Sequence, residues 1–171
     1  MTPAAAGLPA DLSAYRPCVG IALFNPSGRI FMGRRLGLGR REKYAWQMPQ
    51  GGIDGDEEPL AAAARELREE TNVSSVEFLA EAPEWLVYDL PQPMLRKSWR
   101  GRFRGQAQKW IAFRFVGDER EIDIDTPDHG AKPEFAEWRW ERLDAAPDLV
   151  VPFKRQVYRD VAKLFAPYAA R

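Results

Sequence analysis

The sequence predicts an α+β domain, built as a sheet layered between helices in an α/β/α arrangement. Two observations lead to this fold class. Along the chain, β-rich segments precede a helical pattern, and further β-rich segments precede a closing helical pattern. The chain has 171 residues, 45% hydrophobic and 29% charged, which suits one soluble domain with its own core. We therefore expect a single domain over residues 14–171, preceded by a flexible tail over residues 1–13.

Charge and composition exclude several functional classes. Lys plus Arg and Asp plus Glu number 25 each, so net charge does not drive binding to any partner. The single cysteine, Cys18, cannot form a disulfide within the chain, which fits a reducing compartment. No run approaches the roughly 18 apolar residues of a membrane-spanning helix, and the first residues lack a signal-peptide pattern. We expect a cytoplasmic protein without a membrane partner, and the sequence indicates no protein partner.

The first ordered elements are predicted to be a β-hairpin, a loop and a helix. Apolar runs precede and follow the turn formed by residues 25–28, a pattern typical of two antiparallel strands. The glycine-rich, basic segment 36–45 has no periodicity and is predicted to be a loop. Pro59 can occupy the first turn of a helix over residues 59–70, and acidic residues 56–58 lie at the favourable end of its dipole.

The second half of the chain is predicted to hold strands and a closing helix. Four short β-rich segments are predicted to be strands, namely residues 76–82, 85–90, 108–116 and 121–125. Trp138 and Trp140 alternate with charged residues, which favours another strand. The apolar stripe of the closing helix is predicted to consist of Phe153, Val157, Val161 and Leu164.

The helix over residues 59–70 places three carboxylates on one face. Glu66, Glu69 and Glu70 occupy positions i, i+3 and i+4, which share a face about 100° wide. The adjacent face is predicted to anchor the helix to the sheet through Leu60, Ala64 and Leu67. Two interpretations of the acidic face are open at this point: a solvated surface neutralised by arginines of the same helix, or a metal site.

Two glycines before the helix favour the metal site. Gly51 and Gly52 let the backbone approach a ligand, so main-chain carbonyl groups can join the carboxylates around a hard cation. Oxygen ligands suit Mg²⁺, or Mn²⁺ in its place, and the chain offers one Cys and one His to a softer ion. We interpret that histidine, His129, as an exposed loop residue.

These residues resemble the Nudix box, the signature of hydrolases that act on nucleoside diphosphates linked to another group. Gly51 is followed by five residues and Glu57, then by seven residues and the segment 65–70 with sequence RELREE. Chance agreement at six fixed positions in one window is on the order of one in ten million. Asn72 stands where the pattern has glycine. Since asparagine tolerates the left-handed conformation best after glycine, we expect the turn that ends the helix to be preserved.

Seven segments extend the resemblance from Tyr15 to the closing helix. They are YRPCVGI, GRR, WQMPQGGID, WLVYDLP, GQAQKW, KPEFAEWRW and VVPFKRQVY. Together they resemble the bacterial RNA pyrophosphohydrolase and dinucleoside polyphosphate hydrolase branch of the family. The resemblance implies an αβα sandwich with a mixed sheet. It also implies an enzyme in which water attacks a phosphorus of a polyphosphate chain in the presence of Mg²⁺.

The resemblance assigns roles to the box residues and to one later carboxylate. The implied metal ligands are Glu66, Glu69, Glu70 and Glu134. Glu66 is the first candidate for the general base, because a carboxylate beside a metal can accept a proton from bound water. Arg65 is expected to orient the cluster through Glu57, with a simple surface ion pair as the alternative.

Substrate contacts are implied for basic and aromatic residues along the chain. The positions near the phosphates are Arg16, Arg35 and Lys109, and those near the nucleobase are Tyr88, Phe153 and Lys154. For Phe153, core packing is an equally weighted alternative. The run 96–104 adds five basic residues, as either a solvated hairpin tip or a surface that faces a polyanion.

Three functions follow, in order of preference. The first is removal of pyrophosphate from the 5′-triphosphate end of RNA, and the second is asymmetric hydrolysis of diadenosine tetraphosphate and related dinucleotides. The third is a noncatalytic nucleotide or RNA sensor on the same scaffold, which the complete set of box carboxylates argues against. The expected substrate is therefore an RNA 5′ end or a dinucleoside polyphosphate.

Overall fold

Eight strands of the described chain form one sheet. The computed structural model describes residues 7–98, 101–127 and 130–170. The strands are β1 (Tyr15–Phe24), β2 (Ile30–Arg35), β3 (Trp46–Gln47), β4 (Gln50–Gly52), β5 (Val76–Glu81), β6 (Leu86–Asp89), β7 (Gly105–Phe115) and β8 (Phe135–Glu141). The α-helices are α1 (Pro59–Thr71), α2 (Gln92–Leu95), α3 (Ala146–Leu149) and α4 (Arg155–Leu164).

Strand β1 lies at the centre of this sheet. It runs parallel to β7, with Tyr15 opposite Gly105 and Phe24 opposite Arg114. Along its other edge it pairs antiparallel with β4 and then with β2. β2 continues to β3 and β8, and β7 to β5 and β6, all antiparallel. The parallel pair among antiparallel neighbours confirms the mixed sheet that the family resemblance implied.

Apolar cores cover both faces of the sheet, which confirms the layered architecture. The core between the sheet and α4 includes Phe24, Trp110, Tyr158 and Val161. The core between the sheet and α1 includes Ile21, Phe113, Ala63 and Leu67. Since α1 and α4 each bury one face against the sheet, the sheet forms the middle layer between two helical layers.

The predicted hairpin and loop are confirmed. Asn25 closes the turn between β1 and β2, because its Oδ1 accepts hydrogen bonds from the backbone N–H groups of Ser27 and Arg29 at 3.1 and 2.9 Å. Gly28 has a φ of +83°, a conformation that favours glycine. Residues 36–45 contain neither helix nor strand and connect β2 to β3.

Helix α1 turns a different face to the sheet than the one predicted. Its buried residues are Pro59, Ala62, Ala63, Leu67 and Thr71. Leu60 is 43% exposed and Ala64 also faces solvent, so the predicted anchor is wrong for two of its three members. The small side chains of Ala62 and Ala63 let the helix approach the sheet closely, which rotates the buried stripe toward the carboxylates.

The predicted apolar stripe of the closing helix is wrong at both of its ends. Phe153 lies in a 3₁₀ turn before α4, and Leu164 is 39% exposed. Tyr158 and Phe165 are buried instead. The chain enters α4 through the turn Pro152–Lys154, so the helical spacing that includes Phe153 does not apply to that residue.

The strand predicted at residues 121–125 is absent from the structure. A 3₁₀ turn spans Glu119–Glu121, and an irregular segment follows it. The Oε1 of Glu121 accepts hydrogen bonds from the backbone N–H groups of Ser74 and Ser75, at 2.8 and 3.0 Å. Asp123 accepts from the backbone N–H of Asp125 at 2.9 Å. Acidic side chains therefore bind backbone groups here, which competes with strand pairing.

Asn72 ends α1 as predicted, in the left-handed conformation with a φ of 64°. Its backbone N–H donates to the carbonyl oxygen of Arg68 at 2.8 Å. Its side-chain Nδ2 donates to the carbonyl oxygens of Asp123 and Thr126, at 2.7 and 3.0 Å. The asparagine thus supplies two contacts that a glycine at this position would lack.

Several sequence predictions fall wholly or partly outside the described residues. These are the first six residues of the tail, Trp99 and Arg100 of the basic run, and His129. In the described part of the tail, Gly7 accepts a hydrogen bond from Nε1 of Trp85 at 3.1 Å. Within the described ranges, no helix is both long and apolar enough to cross a membrane.

Replacing Asn72 tests the end of α1. We expect Asn72→Ala to lower the free energy of unfolding by about 2–3 kcal/mol, because it loses both side-chain hydrogen bonds and strains the left-handed backbone. Asn72→Gly should cost about 1 kcal/mol, since glycine keeps the conformation and loses only the hydrogen bonds. Urea denaturation of the three proteins measures both values, and equal costs for the two variants would contradict this account.

Candidate active site

Strand β4 and helix α1 lie close enough to bring a glycine against a carboxylate. The pairing of β4 with Cys18, Val19 and Gly20 of β1 holds β4 beside the helix. A Cβ atom added to Gly51 would overlap the carboxylate of Glu66. A side chain at position 51 would therefore displace Glu66, so this position requires glycine for steric reasons.

Arg65 connects the carboxylates of the box to one another. Its Nε and Nη2 donate to the two oxygens of Glu57 at 3.0 and 2.9 Å. Its Nη1 donates to Glu66 at 2.9 Å and to Glu69 at 3.2 Å. Nη2 also donates to the carbonyl oxygen of Gly52 at 2.9 Å. One guanidinium therefore fixes the loop before α1, strand β4 and two residues of the helix.

The environment of Arg65 differs from that of a surface ion pair. Its side chain is 20% exposed, the same as that of its partner Glu57. The hydrogen bonds from Arg65 hold the pKa of Glu57 below its usual value, and those to Glu57 raise the pKa of Arg65. These shifts favour the charged form of both partners, and both Glu57 oxygens bind the arginine.

Glu66 and Glu70 lie in surroundings that disfavour their charge. The Glu66 side chain is 13% exposed, and burial raises its pKa despite the nearby Arg65. Burial raises the pKa of Glu70 well above its usual value, and the charges of Glu134 and Glu66 raise it further. The Oε2 atom of Glu70 is buried without a hydrogen-bond partner. An added cation would remove the cost of holding these carboxylates together.

The donor atoms fit a hard divalent cation in chemistry, although they are not gathered around a common point. Glu66, Glu70 and Glu134 interact electrostatically, and all their donors are oxygens. Among the described residues, however, no group of three or more His, Cys, Asp or Glu side chains is arranged to hold a metal ion. Arg65 binds Glu66 and Glu69 and so occupies part of the donor set.

A pocket of about 280 Å³ lies beside the acidic helix. Its lining combines residues of several segments, including Arg35, Gln47, Gln50, Tyr88, Gln106, Glu134, Phe153 and Lys154. Four of the predicted substrate residues, Arg35, Tyr88, Phe153 and Lys154, thus meet in one place. Glu134 lines the same pocket and also raises the pKa of Glu70, so the pocket and the carboxylate cluster are adjacent.

Lys154 is the cation at the base of this pocket. It is 7% exposed, its Nζ lies 5.6 Å from the centre of the Tyr88 ring, and it donates to Oε1 of Gln50 at 3.3 Å. Tyr88 and Phe153 pack with their ring centres 5.6 Å apart. Burial, followed by the nearby Arg35, lowers the pKa of Lys154 to about 8. A bound anion would favour the charged form of this lysine.

Buried glutamines form part of the site that the sequence reasoning did not include. Nε2 of Gln108 donates to Gln106 at 2.9 Å and to Gln50 at 3.1 Å, and Nε1 of Trp110 donates to Gln108 at 3.1 Å. Gln106 and Gln108 are two residues apart on β7 and face the same side as Trp110. The sequence signal that could have predicted them is the spacing of two polar residues on one face of a strand, beside a tryptophan on the same face.

Arg16 and Lys109 do not line this pocket. Arg16 lies against Gly52, where an added Cβ would come within 2.5 Å of its Nη2. Lys109 contacts Trp85, with its Nζ 5.8 Å from the ring, and donates to the carbonyl oxygen of Pro83 at 3.0 Å. Lys109 and Trp85 line a separate cleft of about 300 Å³ with Glu58, Pro59, Glu81 and Gly7.

The basic run 96–104 begins at the rim of the pocket. Ser98 of this run, and Met94 just before it, belong to the pocket lining. Its other end is anchored by Arg104, which donates to Asp89 at 2.7 Å, and Asp89 also accepts a hydrogen bond from Tyr15 at 2.5 Å. Of the described residues in this run, Ser98 thus lies in the pocket lining and Arg104 is held by Asp89.

Comparison with known proteins identifies relatives in sequence and in fold. The NUDIX domain family matches residues 14–161. The RNA pyrophosphohydrolase of Rhodopseudomonas palustris strain BisB18 is 55% identical over 157 residues, covering 91% of this chain and 90% of its own. That of Azorhizobium caulinodans is 55% identical over 158 residues, covering 91% and 94%.

Solved structures share the fold at low sequence identity. The E. coli dihydroneopterin triphosphate pyrophosphohydrolase has a TM-score of 0.62 and 17% identity, covering 86% of this chain and 96% of its own. A binary complex of the C. elegans Ap4A hydrolase has a TM-score of 0.58 and 17% identity, covering 89% and 98%. At such identities the similarity describes the arrangement of helices and strands.

Replacing Glu70 distinguishes its effect on folding stability from its proposed role in metal binding. Without divalent metal, Glu70→Gln should stabilise the protein by about 1–3 kcal/mol, because it removes a buried charge that has an oxygen without a partner. In a chain of this size, each kcal/mol corresponds to about 2–4 °C in Tm. Added Mg²⁺ should raise the Tm of the wild type and leave that of the variant nearly unchanged. Calorimetry with and without Mg²⁺ measures both effects; a variant with the full metal-dependent rise would contradict the assignment.

Replacing Arg65 tests its part in the cluster. Arg65→Lys should lower the free energy of unfolding by about 2–3 kcal/mol, because an ammonium group cannot bind Glu57 with two parallel hydrogen bonds while also reaching Gly52. Arg68→Lys, at an exposed position on the same helix, should change it by no more than about 0.5 kcal/mol. Similar losses in the two variants, compared by urea denaturation, would argue against a special role for Arg65.

Proposed function

The chain belongs to the NUDIX domain family, and on that basis we propose that it is an RNA pyrophosphohydrolase, which removes pyrophosphate from the 5′-triphosphate end of RNA. The family membership confirms the resemblance seen in the box and the seven segments. Relatives that carry this name are 50–55% identical and cover 91% of the chain. The structural observation that supports the proposal is the adjacency of a basic, aromatic pocket to the carboxylates of α1.

Enzymes of this family use divalent metals, and we propose Mg²⁺ for this chain. Glu66, Glu70 and Glu134 are the residues that would hold it, with Glu69 sharing that role. When bound, Mg²⁺ polarises phosphoryl oxygens and activates water for attack. The unpartnered Oε2 of Glu70 and the mutual repulsion of the carboxylates support this choice.

The pocket supplies binding and orientation. Lys154 and Arg35 provide positive charge for the phosphate chain, and the rings of Tyr88 and Phe153 provide an apolar surface for a nucleobase. Because these rings already contact each other, a base would stack on the pair and not between them. Gln50 and Gln106 offer amide groups to the edge of that base. Binding in this pocket would bring the 5′ phosphates toward Glu134 and α1.

Glu66 is the proposed acceptor of the proton from the attacking water. Its raised pKa makes it a better base than an exposed carboxylate, and Arg65 fixes its orientation through Oε1. In the reaction, the water oxygen bonds to phosphorus, its proton moves to the Glu66 carboxylate, and the anhydride bond breaks to release pyrophosphate. Glu57 takes part only by holding Arg65.

Asymmetric hydrolysis of dinucleoside polyphosphates is the second candidate. The observation that favours it is the cleft of Trp85 and Lys109, which offers a second aromatic surface and a second cation. A dinucleotide needs a place for its other base, whereas an RNA needs an open path for its chain. The third expectation, a noncatalytic sensor, does not fit the comparisons, because the chain is a Nudix hydrolase that acts on phosphoanhydride bonds.

Two substrates distinguish the first two functions. We expect the protein with Mg²⁺ to give a higher kcat/KM on 5′-triphosphorylated RNA than on diadenosine tetraphosphate at the same ionic strength. Glu70→Gln should lower turnover of both by at least about 100-fold, because the metal site is lost. Trp85→Ala should leave RNA turnover unchanged. A higher kcat/KM on the dinucleotide, lowered by Trp85→Ala, would reverse the assignment.

A further inference from the structure

The loop 36–45 is attached to the rim of the pocket at both of its ends. It begins directly after Arg35, which lines the pocket, and the backbone N–H of Arg35 donates to the carbonyl oxygen of Ala45 at 2.9 Å. The N–H of Leu36 donates to the carbonyl oxygen of Glu134 at 3.0 Å. The loop therefore starts between a predicted phosphate ligand and a predicted metal ligand, next to the pocket lining.

The outer side of this loop carries an excess of positive charge. Arg40, Arg41 and Lys43 are exposed, and Glu42 is the acidic residue among them. The whole chain has a formal net charge of zero, so this local excess is not a consequence of overall composition. Exposed cations next to a phosphate-binding pocket favour a polyanion that extends beyond the pocket.

An aromatic ring lies among these cations. The half-buried Tyr44 has the Arg155 guanidinium 5.2 Å and the Lys43 ammonium 5.7 Å from its ring centre. Arg155 directly follows Lys154 of the pocket, and its Nε is held by the carbonyl oxygen of Pro147 at 2.8 Å. A ring flanked by cations is the combination with which proteins bind single-stranded nucleic acid, the ring stacking on bases and the cations pairing with phosphates.

The exposed cations are not what holds the loop in place. Arg34, which is largely buried, donates from Nη2 to the carbonyl oxygen of Gly39 at 2.6 Å and from Nη1 to that of Leu38 at 3.5 Å. Together with the backbone bonds of Arg35 and Leu36, these contacts fix the loop from its inner side. Removal of Arg40 and Arg41 should therefore leave the fold unchanged. Their role in binding can then be tested without a loss of folding stability.

We propose that Arg40, Arg41, Lys43, Tyr44 and Arg155 form a surface, the loop surface, that binds the RNA chain continuing in the 3′ direction from the nucleotide in the pocket. This inference rests on the proposed function and adds a second binding region to it. The cations bind the sugar–phosphate backbone, and Tyr44 stacks on a base downstream of the first nucleotides. The loop surface thus favours long RNA over a mononucleotide or a dinucleotide.

The dependence on RNA length tests the loop surface. We expect Arg40→Ala combined with Arg41→Ala to lower kcat/KM about 3- to 10-fold on a 5′-triphosphorylated RNA of about 20 nucleotides at low salt. On a 5′-triphosphorylated dinucleotide the same variant should match the wild type. Arg120→Ala combined with Lys163→Ala is the control, since it removes the same charge from exposed positions elsewhere. An equal effect on both lengths, or none on the long RNA, would overturn the proposal.

Substitutions of Tyr44 distinguish stacking on an RNA base from a purely structural role of this side chain. Tyr44→Phe should keep wild-type kcat/KM on the long RNA, whereas Tyr44→Ala should lower it and spare the dinucleotide. If Tyr44 only anchors the loop, Tyr44→Ala will reduce turnover of both substrates in parallel with a fall in Tm. The shared loss would then argue against the loop surface.

Binding measured without turnover keeps this proposal separate from the proposed function. Fluorescence anisotropy with a 5′-monophosphorylated RNA of about 20 nucleotides gives Kd over a range of salt concentrations. We expect the Arg40 and Arg41 double variant to bind more weakly and with a shallower salt dependence than the wild type. If the wild type hydrolyses no triphosphorylated RNA of either length, the proposed function fails, while this Kd still decides the loop surface. Equal Kd values for wild type and variant would overturn the loop surface alone.

Discussion

The guanidinium of Arg65 is the interaction on which the rest of the site depends. Three carboxylates within two turns of one helix repel one another and destabilise the helix unless a cation lies among them. Arg65 supplies that cation from the same helix, and its remaining donors bind Glu57 and the carbonyl oxygen of Gly52. The loop before the helix and strand β4 are thereby tied to the acidic face. The contacts that offset the repulsion between carboxylates of α1 therefore also position the loop before α1 and strand β4.

Close backbone approach is the second constraint, and it follows from the first. Glu66 can lie against β4 only because position 51 has no side chain, and α1 can approach the sheet because Ala62 and Ala63 are small. The resulting proximity buries Glu70 and leaves its Oε2 without a partner. The protein therefore holds an unfavourable arrangement of carboxylates that a divalent cation relieves.

Gln50 links the two halves of the site. Its backbone N–H donates toward Glu70 on the helix side, while its side-chain oxygen accepts from Lys154 and Gln108 on the pocket side. One residue of a three-residue strand thus connects the acidic face of α1 to the buried lysine of the pocket. Because β4 is held by β1 at the centre of the sheet, strand pairing sets the relative position of the two halves.

Features that depend on local spacing could be predicted from the amino-acid sequence alone. The hairpin turn at Asn25, the acidic face of α1, its left-handed end at Asn72 and the family membership all follow from residue types at fixed intervals. The packing of segments distant in sequence set which residues meet across the sheet. It joined Arg35, Tyr88, Phe153 and Lys154 in one pocket, placed Lys109 in another cleft, and added Gln50, Gln106 and Gln108. It also turned α1 away from Leu60, and it replaced a predicted strand with side-chain contacts of Glu121. Periodicity reports how a segment repeats along its own axis, whereas burial and pairing depend on partners distant in sequence that no local pattern records.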